Sequence, residues 1–433
     1  MKKTKLALAI AASAMISTPV LATNGDVLIG LGAQSRALGG TGAAAFFGSE
    51  NALTNPGLLG KMQGSEFAIG GTLFKPSVKA SSNVVPPTTT TASDTSANDT
   101  NIIPEVSLAT RINENLVFGL GIYGSAGMGV DYRDTAGLFK GYSNLQLMKF
   151  APTIAYNANN FTLGFAPVIQ YGSLDINYVS DSDGDSNMDD IIGNGMSSDL
   201  GMGFNLGGTF DITPDLTIGL AYQSAINMKY KDQISLAACG FGVGKTGCTS
   251  GTNIANTNQT NTITSDELEQ PAEIKIGAAY TMGSMMYTAD YKQIAWGQAK
   301  GYKDFNWQDQ NVFALGAKMS GNGYWLGVGY NYAEDPIKKL GDTGYANQAV
   351  NLFNNHFFPG VVESHITFGG GYELNKRMTI EGAVVYAQEV TKTVGTGYIT
   401  DAFIDGNPDT DRGTSHKVTH SQVGYTVSLR MNF

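Results

Sequence analysis

The C-terminal residues 417–433 alternate between apolar and polar side chains. Counted back from Phe433, every second residue is apolar as far as Val423, and the residues between them are polar or glycine. Successive side chains of a strand point to opposite faces, so one face of this segment is apolar and the other polar. The segment is longer than the ~9–11 residues that a strand needs to cross a bilayer. It therefore predicts a transmembrane barrel strand, with the edge strand of a soluble sandwich as the alternative.

The N-terminus predicts an export signal. Lys2, Lys3 and Lys5 precede an uncharged stretch, residues 6–16, and Ala22 ends a short run with small residues at the expected cleavage positions. This order is typical of a secretory signal peptide, which we place at residues 1–22. Its removal takes away three lysines, so the formal net charge would move from −10 to −13.

Composition favours a barrel and excludes one class of partner. The chain holds 55 Gly, 20 Tyr and 20 Phe, and no stretch after the signal peptide reaches the ~18 apolar residues of a membrane helix. Its mean hydropathy of −0.09 is compatible with a membrane barrel, because only half of each strand faces lipid. An acidic chain without clustered Lys and Arg is not expected to bind nucleic acid.

Period-2 segments between turn signals predict fourteen strands. Their ranges are 65–80, 101–113, 114–132, 143–157, 160–179, 197–211, 215–231, 264–282, 285–296, 307–320, 323–333, 361–374, 377–391 and 417–433. Short connections alternate with long polar ones, as periplasmic turns alternate with outer loops in barrels of the bacterial outer membrane. The predicted fold is therefore all-β: a 14-stranded antiparallel transmembrane β-barrel, residues 65–433, in that membrane.

Residues 23–64 do not follow the strand pattern. They combine Gly- and Ala-rich turns with a helix-compatible patch at residues 43–47, and few of them are charged. A short segment this apolar is better placed inside the barrel than in water. We therefore predict an N-terminal hatch over residues 23–64.

This segment resembles the FadL-type family of outer-membrane transporters for long-chain fatty acids and aromatic hydrocarbons. The similar stretches are residues 35–43 and 51–59, which contain Asn55-Pro56-Gly57 where the family has Asn-Pro-Ala. In that family these residues begin the hatch, and the motif lies opposite an inward kink in the third strand. The Gly in third position leaves a turn plausible but makes that hatch contact less secure.

Two further resemblances lie in the barrel. Residues 268–280, followed by Asp290-Tyr291 and Trp296, are similar to family members in their order of Pro, Gly, Tyr, acidic-aromatic pair and Trp. The terminal Phe433 resembles the assembly signal of outer-membrane barrels. The expected partners are therefore the barrel-assembly machinery, outer-membrane lipid, lipopolysaccharide and a hydrophobic ligand. We expect a monomer, since nothing in the sequence demands a trimer.

The resemblance implies diffusion without an energy source. A ligand would land among the outer loops, enter a pocket in the lumen and leave sideways where the third strand is kinked. Glycines in that strand permit a bulge; alternatively, they let the hatch approach the wall. They are Gly119, Gly121, Gly124, Gly127 and Gly129.

Candidate ligand contacts follow from the chemistry of an apolar tail and a carboxylate. Apolar hatch residues would contact the tail or, alternatively, pack the hatch against the wall, and a basic group would hold the carboxylate. The candidates are Phe46, Phe47, Leu53, Leu58 and Leu59, with Arg36, Lys149 and Lys318 as the bases and Tyr171 in the fifth strand. That part of the fifth strand has no Arg or Lys, which leaves room for an uncharged hydrocarbon.

Two motifs are candidates for a disulfide and for a calcium site. Cys239 and Cys248 predict a local disulfide in an oxidising compartment, since metal or redox chemistry would need further His or Cys. Asp181, Asp183, Asp185, Asn187 and Asp189 alternate as in calcium loops, but Ser186 and Ile192 replace the Gly and Glu of an EF-hand. Bound Ca²⁺ and a solvated acidic loop are the alternatives, and no other cofactor is expected.

The sequence as a whole predicts passive uptake of hydrophobic compounds, with long-chain fatty acids first and aromatic hydrocarbons or alkanes second. A surface adhesin or structural barrel is the alternative from another class. Motifs of hydrolases, zinc proteases and phosphate loops are absent, so we do not expect an enzyme.

Overall fold

The computed structural model describes residues 23–84, 91–180, 189–240 and 265–433. The predicted signal peptide, residues 1–22, lies outside the described residues.

Fourteen long strands within these residues form one closed antiparallel barrel, which confirms the predicted fold class. Each strand pairs with the next along the chain, and β14 pairs with β1 to close the sheet. The strands are β1 Ser65–Ser82, β2 Asn101–Arg111, β3 Leu116–Asp131, β4 Tyr142–Asn157, β5 Phe161–Ser180, β6 Ser197–Thr213, β7 Leu216–Gln223, β8 Glu273–Met282, β9 Met285–Ile294, β10 Gln310–Ser320, β11 Tyr324–Ala333, β12 Ser364–Asn375, β13 Met378–Gly395 and β14 Ser415–Asn432.

Alternating side chains give the barrel an apolar outside. In β7, Ile218 and Leu220 are 41% and 53% exposed, whereas Ala221 between the outward positions is buried. Outward apolar side chains face lipid, and the inward face is left for polar and small residues. The two ends of the barrel chain meet at the seam, where Phe433 N donates to Ser65 O at 2.9 Å.

Shorter elements lie in the connections and in the N-terminal segment. Two-residue to four-residue strands occur at Thr23–Asn24, Val27–Leu28, Ala92–Thr95 and Asp190–Ile192. The α-helices are α1 Gly32–Ala37, α2 Asn51–Thr54, α3 Ile234–Gly240, α4 Tyr345–Phe357 and α5 Gly397–Asp405, and 3₁₀ turns lie at Gly48–Glu50, Pro56–Lys61, Ala136–Leu138 and Tyr302–Phe305. None of the helices in the described ranges has the length and apolar character needed to cross a membrane.

The predicted seventh and eighth strands, residues 215–231 and 264–282, are too long at their loop ends. Beyond Gln223 the chain leaves the ladder, and an isolated bridge joins Ile226 to Gln270. Ile226 and Met228 are fully buried and pack against Gly201 of β6. The apolar alternation is therefore present, but its apolar face packs inside the barrel rather than against lipid.

Residues 23–62 pack against the inward face of the barrel. Gly39 donates its N–H to Thr367 Oγ1 of β12 at 3.0 Å, and its carbonyl accepts from Asn331 Nδ2 of β11 at 3.0 Å. A Cβ added to Gly329 would lie 2.1 Å from Gly39 N. Such backbone-to-backbone approach requires glycine on the wall.

Candidate functional site

Strand β3 separates from β2 halfway along its length. The two strands pair from Arg111 with Val117 to Glu105 with Tyr123, where the described pairing ends. Above that point β2 keeps its pairing with β1 as far as Asn101. The hydrogen-bond ladder of the barrel wall therefore has a gap between β2 and the second half of β3.

The second half of β3 turns towards the lumen. A bulge lies between Gly124 and Ala126 in its pairing with β4. Exposed and buried positions alternate below it, but every residue from Tyr123 to Val130 is buried. A strand buried on both faces does not contact lipid, so this half of β3 has left the outer surface.

The N-terminal segment satisfies part of the backbone that β2 no longer pairs. Val27 pairs with Ala126, and Gly127 donates its N–H to Asp26 O at 3.0 Å. Unpaired backbone groups are costly away from water, so this contact stabilises the inward path of β3.

Ile103 fills the lower part of the gap. Its side chain is 1% exposed, and a Cβ added to Gly124 would lie 2.7 Å from its Cγ2 and 3.8 Å from its Cβ. Gly124 therefore allows the two strands to stay close where their hydrogen bonds have ended.

A small charged cavity lies between the N-terminal segment and the wall. It has a volume of about 50 Å³, and its lining includes the apolar residues 27–29 and Leu31 beside charged groups of β4, β8 and β9. These are Lys149, Lys275, Lys292, Glu273 and Asp290. A cavity of roughly 150 Å³ is known to admit benzene, so this smaller one has room only for water-sized guests.

Lys149 differs from the other two lysines of the cavity. The Nζ atoms of Lys275 and Lys292 each lie 3.6 Å from Glu273 Oε2. Lys149 is 6% exposed, and its Nζ donates to the neutral Gln223 Oε1 at 2.9 Å. A buried ammonium with an uncharged partner is the lysine of this cavity best able to receive an anionic ligand.

Asp26 connects the N-terminal segment to the outer loops. Its carboxylate accepts hydrogen bonds from the Tyr302 hydroxyl and, at 3.1 Å, from Gln270 Nε2. Burial raises the pKa of Asp26 to about 6. Beside it, Gly25 lies close to the indole rings of Trp296 and Trp307. The first described residues of the N-terminal segment therefore lie beneath an aromatic cluster.

Arg430 of β14 anchors the hatch to the wall. Its Nη1 donates to Phe47 O at 2.7 Å and to Glu66 Oε1 at 2.8 Å. Its Nη2 donates to Glu50 Oε2 at 3.1 Å and to Glu381 Oε2 at 2.9 Å. One guanidinium thus faces three carboxylates, and burial raises the pKa of Glu50 to about 8.

The Asn55-Pro56-Gly57 motif docks on glycines of β5 and β6. Asn55 Nδ2 donates to Ala43 O at 2.6 Å and to Gly208 O at 3.1 Å, and its Oδ1 accepts from Gly57 N at 3.0 Å. A Cβ on Gly57 would lie 2.7 Å from Gly208 Cα. This contact explains why the third residue is Gly here.

Residues 28–433 match the family model described as outer membrane protein transport protein (OMPP1/FadL/TodX). The chain belongs to this family. A relative from Escherichia coli O6:H1, described as a long-chain fatty acid transport protein, is 26% identical over 381 residues, which are 77% of this chain and 82% of the relative.

Solved structures share the family fold. The Pseudomonas putida toluene transporter TodX superposes with a TM-score of 0.64 at 18% identity, covering 93% of this chain and 99% of that one. A Pseudomonas aeruginosa FadL homologue gives 0.64 at 14% identity, covering 94% and 100%. The protein is thus an outer-membrane transport protein of the FadL/TodX fold.

The three basic residues predicted to bind a carboxylate lie in different places. Lys149 lines the cavity, whereas Lys318 Nζ donates to Gln34 Oε1 at 2.9 Å and Arg36 Nη2 lies 2.5 Å from Glu105 Oε1. Both of these latter contacts join the N-terminal segment to a barrel strand. Lys318 and Arg36 therefore fasten the N-terminal segment to the barrel wall.

Most of the apolar residues predicted to contact a ligand instead pack the N-terminal segment against the barrel wall. Phe47, Leu58 and Leu59 are buried, Phe46 packs beside Leu59, and none of the four lines the cavity. Tyr171 is 44% exposed on the outer face. The expectation that it contacts a ligand in the lumen is wrong, because strand alternation turns its neighbours Gln170 and Gly172 inward instead.

Four charged residues that line the cavity are not among the site residues predicted from the sequence. Glu273, Lys275, Asp290 and Lys292 occupy inward positions that alternate with apolar outward residues. Charged residues at inward positions of a transmembrane strand are a functional signal, and that signal was available in the sequence.

Several predicted residues lie outside the described part of the chain. These are the side chains of Leu53 and Cys239, together with Cys248, Asp181, Asp183, Asp185 and Asn187. In the ranges that the structure describes, no group of three or more His, Cys, Asp or Glu could hold a metal ion. The disulfide and the calcium loop stay predictions.

We expect Gly57→Ala to loosen the hatch. The new methyl group must displace the backbone of β6, whereas the same change at Gly42 places a Cβ at an ordinary 3.5 Å from Thr54. Ion conductance in planar bilayers should rise for Gly57→Ala and stay at the parental level for Gly42→Ala. Equal conductance of all three proteins would contradict the tight docking.

Glu50 should make stability depend on pH. Its carboxyl pKa rises from the ordinary 4.5 to about 8 in the folded state, so the folded chain keeps a proton that the unfolded chain releases. Stability therefore falls as pH rises through this interval and stays low above it. The urea midpoint should drop between pH 6.5 and 8, the part of this interval that lies above the range in which Asp26 titrates, and Glu50→Gln should flatten the drop. An unchanged slope in that variant would show that another group is responsible.

Proposed function

We propose that this protein carries hydrophobic compounds, first of all long-chain fatty acids, inward across the outer membrane by passive diffusion. Residues 23–64 act as the hatch, and the ligand leaves sideways through the gap between β2 and β3. The single observation that supports this route most directly is that the described pairing of β3 with β2 ends at Glu105 and Tyr123, halfway along β3.

Sideways exit suits the cargo. A ligand that prefers lipid to water gains free energy by passing directly from the lumen to the bilayer, about 25 cal/mol for each Å² of apolar surface that stays out of water. The gap opens from a barrel whose outward face is apolar, so a ligand leaving there meets lipid first.

A fatty-acid cargo is supported by Lys149. The Escherichia coli relative is described as a long-chain fatty acid transport protein. Lys149 adds a buried ammonium beside the apolar residues Leu28 and Leu31, with a neutral amide as its partner. An apolar wall with one available cation matches a carboxylate on an apolar tail.

The closed cavity requires a moving hatch. A space of about 50 Å³ cannot hold a fatty acid. Residues 27–31 line it and also touch β3, so their displacement would enlarge the cavity and release β3 together. Ligand entry and opening of the gap are thereby the same movement.

A disulfide across the gap tests the exit route. In Ile103→Cys/Gly124→Cys the two Cβ atoms would lie 3.8 Å apart, within the usual range for a disulfide. Oleate uptake, measured in cells that lack their own fatty-acid channel, should fall strongly under oxidation and return on reduction. Each single variant serves as a control for the altered side chain, and undiminished uptake by the oxidised protein would exclude this exit.

Lys149→Met tests the cargo. Replacing the ammonium by an apolar group should weaken oleate uptake by about ten- to a hundredfold, as expected for loss of one charge-assisted hydrogen bond of about 1.5–3 kcal/mol, and should leave oleyl alcohol and toluene unaffected. Lys376→Met is the control, because that exposed lysine lies in the turn between β12 and β13, away from the cavity and from the N-terminal segment. Parental transport of toluene without transport of oleate would redirect the assignment to aromatic hydrocarbons.

A further inference from the structure

Three lysines face outward on the two strands of the barrel seam. Lys75 and Lys79 lie on β1 and Lys417 lies on β14, and all three side chains are exposed. Lys79 pairs with Thr419 across the seam, which makes Lys417 its diagonal neighbour at roughly 7–8 Å between Cα atoms. Lys75 is on the same face of β1, roughly 13 Å along the strand.

These lysines begin where the apolar outer face ends. Leu73 and Tyr425 form an outward pair, 41% and 46% exposed, and Lys75 is the next outward residue of β1 beyond Leu73. Aromatic side chains mark the border between hydrocarbon and headgroups in membrane barrels. The lysines therefore stand at and above headgroup level on the loop side of the membrane.

No carboxylate neutralises the three lysines within the described ranges. The ion pairs there include other lysines, such as Lys300 with Glu267 and Lys392 with Asp335, but none of these three. Lys75 Nζ donates to Thr100 Oγ1 at 3.1 Å, which leaves two of its three N–H groups available. The chain as a whole has a net charge of −10, so three lysines on one face are a local excess of positive charge. Such an excess is not expected on a surface that contacts only solvent.

Hydroxyl groups complete the surface. Ser77 lies between the two lysines of β1 and pairs with Ser421, and Thr419 lies beside Lys79. Asp99 is the acidic neighbour, and its Oδ1 accepts from the Thr100 hydroxyl. Ammonium and hydroxyl donors spread over a flat face suit phosphate oxygens, for which lysine acts as a point charge.

We propose that Lys75, Lys79 and Lys417 bind the phosphate groups of the outer-leaflet glycolipid, of which lipid A is the phosphorylated anchor. The lysines lie at the depth of its phosphates, and their charge complements it. This contact fixes the seam between β14 and β1 in the outer leaflet. The seam is separated from the gap by β2. It does not depend on which cargo the barrel carries.

Binding of lipid A to the purified protein in detergent tests the proposal. Lys75→Gln/Lys79→Gln/Lys417→Gln should weaken binding of bis-phosphorylated lipid A on the order of a hundredfold, since each of the three lysines near an anionic lipid surface contributes roughly fivefold. Lys231→Gln/Lys338→Gln/Lys339→Gln removes the same charge from exposed loops and should bind as the parent does. Native mass spectrometry gives the bound fraction, and heat-modifiable gel mobility verifies folding.

Three outcomes would overturn the proposal. Parental binding by the seam variant would show that the lysines do not contact the lipid, and an equal loss in the loop variant would indicate a general effect of charge. Competition by millimolar inorganic phosphate would assign the site to the free anion. Dephosphorylated lipid A should bind as weakly to the parent as the intact lipid binds to the seam variant. Oleate uptake by the seam variant should stay parental, which separates this test from that of transport.

Discussion

The need to pair every backbone hydrogen-bonding group inside a bilayer governs this structure. A closed barrel meets that need strand by strand, and β14 pairing with β1 completes it. The second half of β3 departs from the rule, because β2 no longer pairs with it. It can do so since it lies inside the wall, where β4 supports one edge and residues 26–27 support part of the other. The break in the β2–β3 ladder and the contact of the N-terminal segment with β3 thus belong together structurally.

Buried charge helps to hold that segment in place. Arg430 faces three carboxylates, so its site carries more negative than positive charge even when Glu50 holds a proton. Removing one member of such a cluster is costly, yet the cluster as a whole contributes little net stability because all of its groups are desolvated. These polar contacts fix the position of the N-terminal segment, in addition to the apolar packing of Phe47, Leu58 and Leu59.

The outer loops close the opposite end by apolar packing. Phe305 stacks on Phe353 of α4 with ring centroids 4.5 Å apart, and Trp296, Tyr302 and Trp307 form a contiguous group above Gly25. Most of these side chains are buried in this state. For an apolar ligand arriving from outside, this cluster would provide an apolar surface to bind. Exposed loops of polar composition would provide none.

The sequence alone determined the barrel, because lipid on one side and a polar lumen on the other impose a period of two that is readable in segments such as 417–433. It also indicated an internal N-terminal segment and a glycine-rich β3. It misplaced Tyr171 and the ends of β7 and β8, since alternation identifies two faces without saying which one meets lipid. Tertiary structure decided that Lys149 joins Glu273 and Lys292 around one cavity, and that Arg36 and Lys318 brace the hatch. Those groupings depend on register and closure between strands far apart in the chain, which no local pattern encodes.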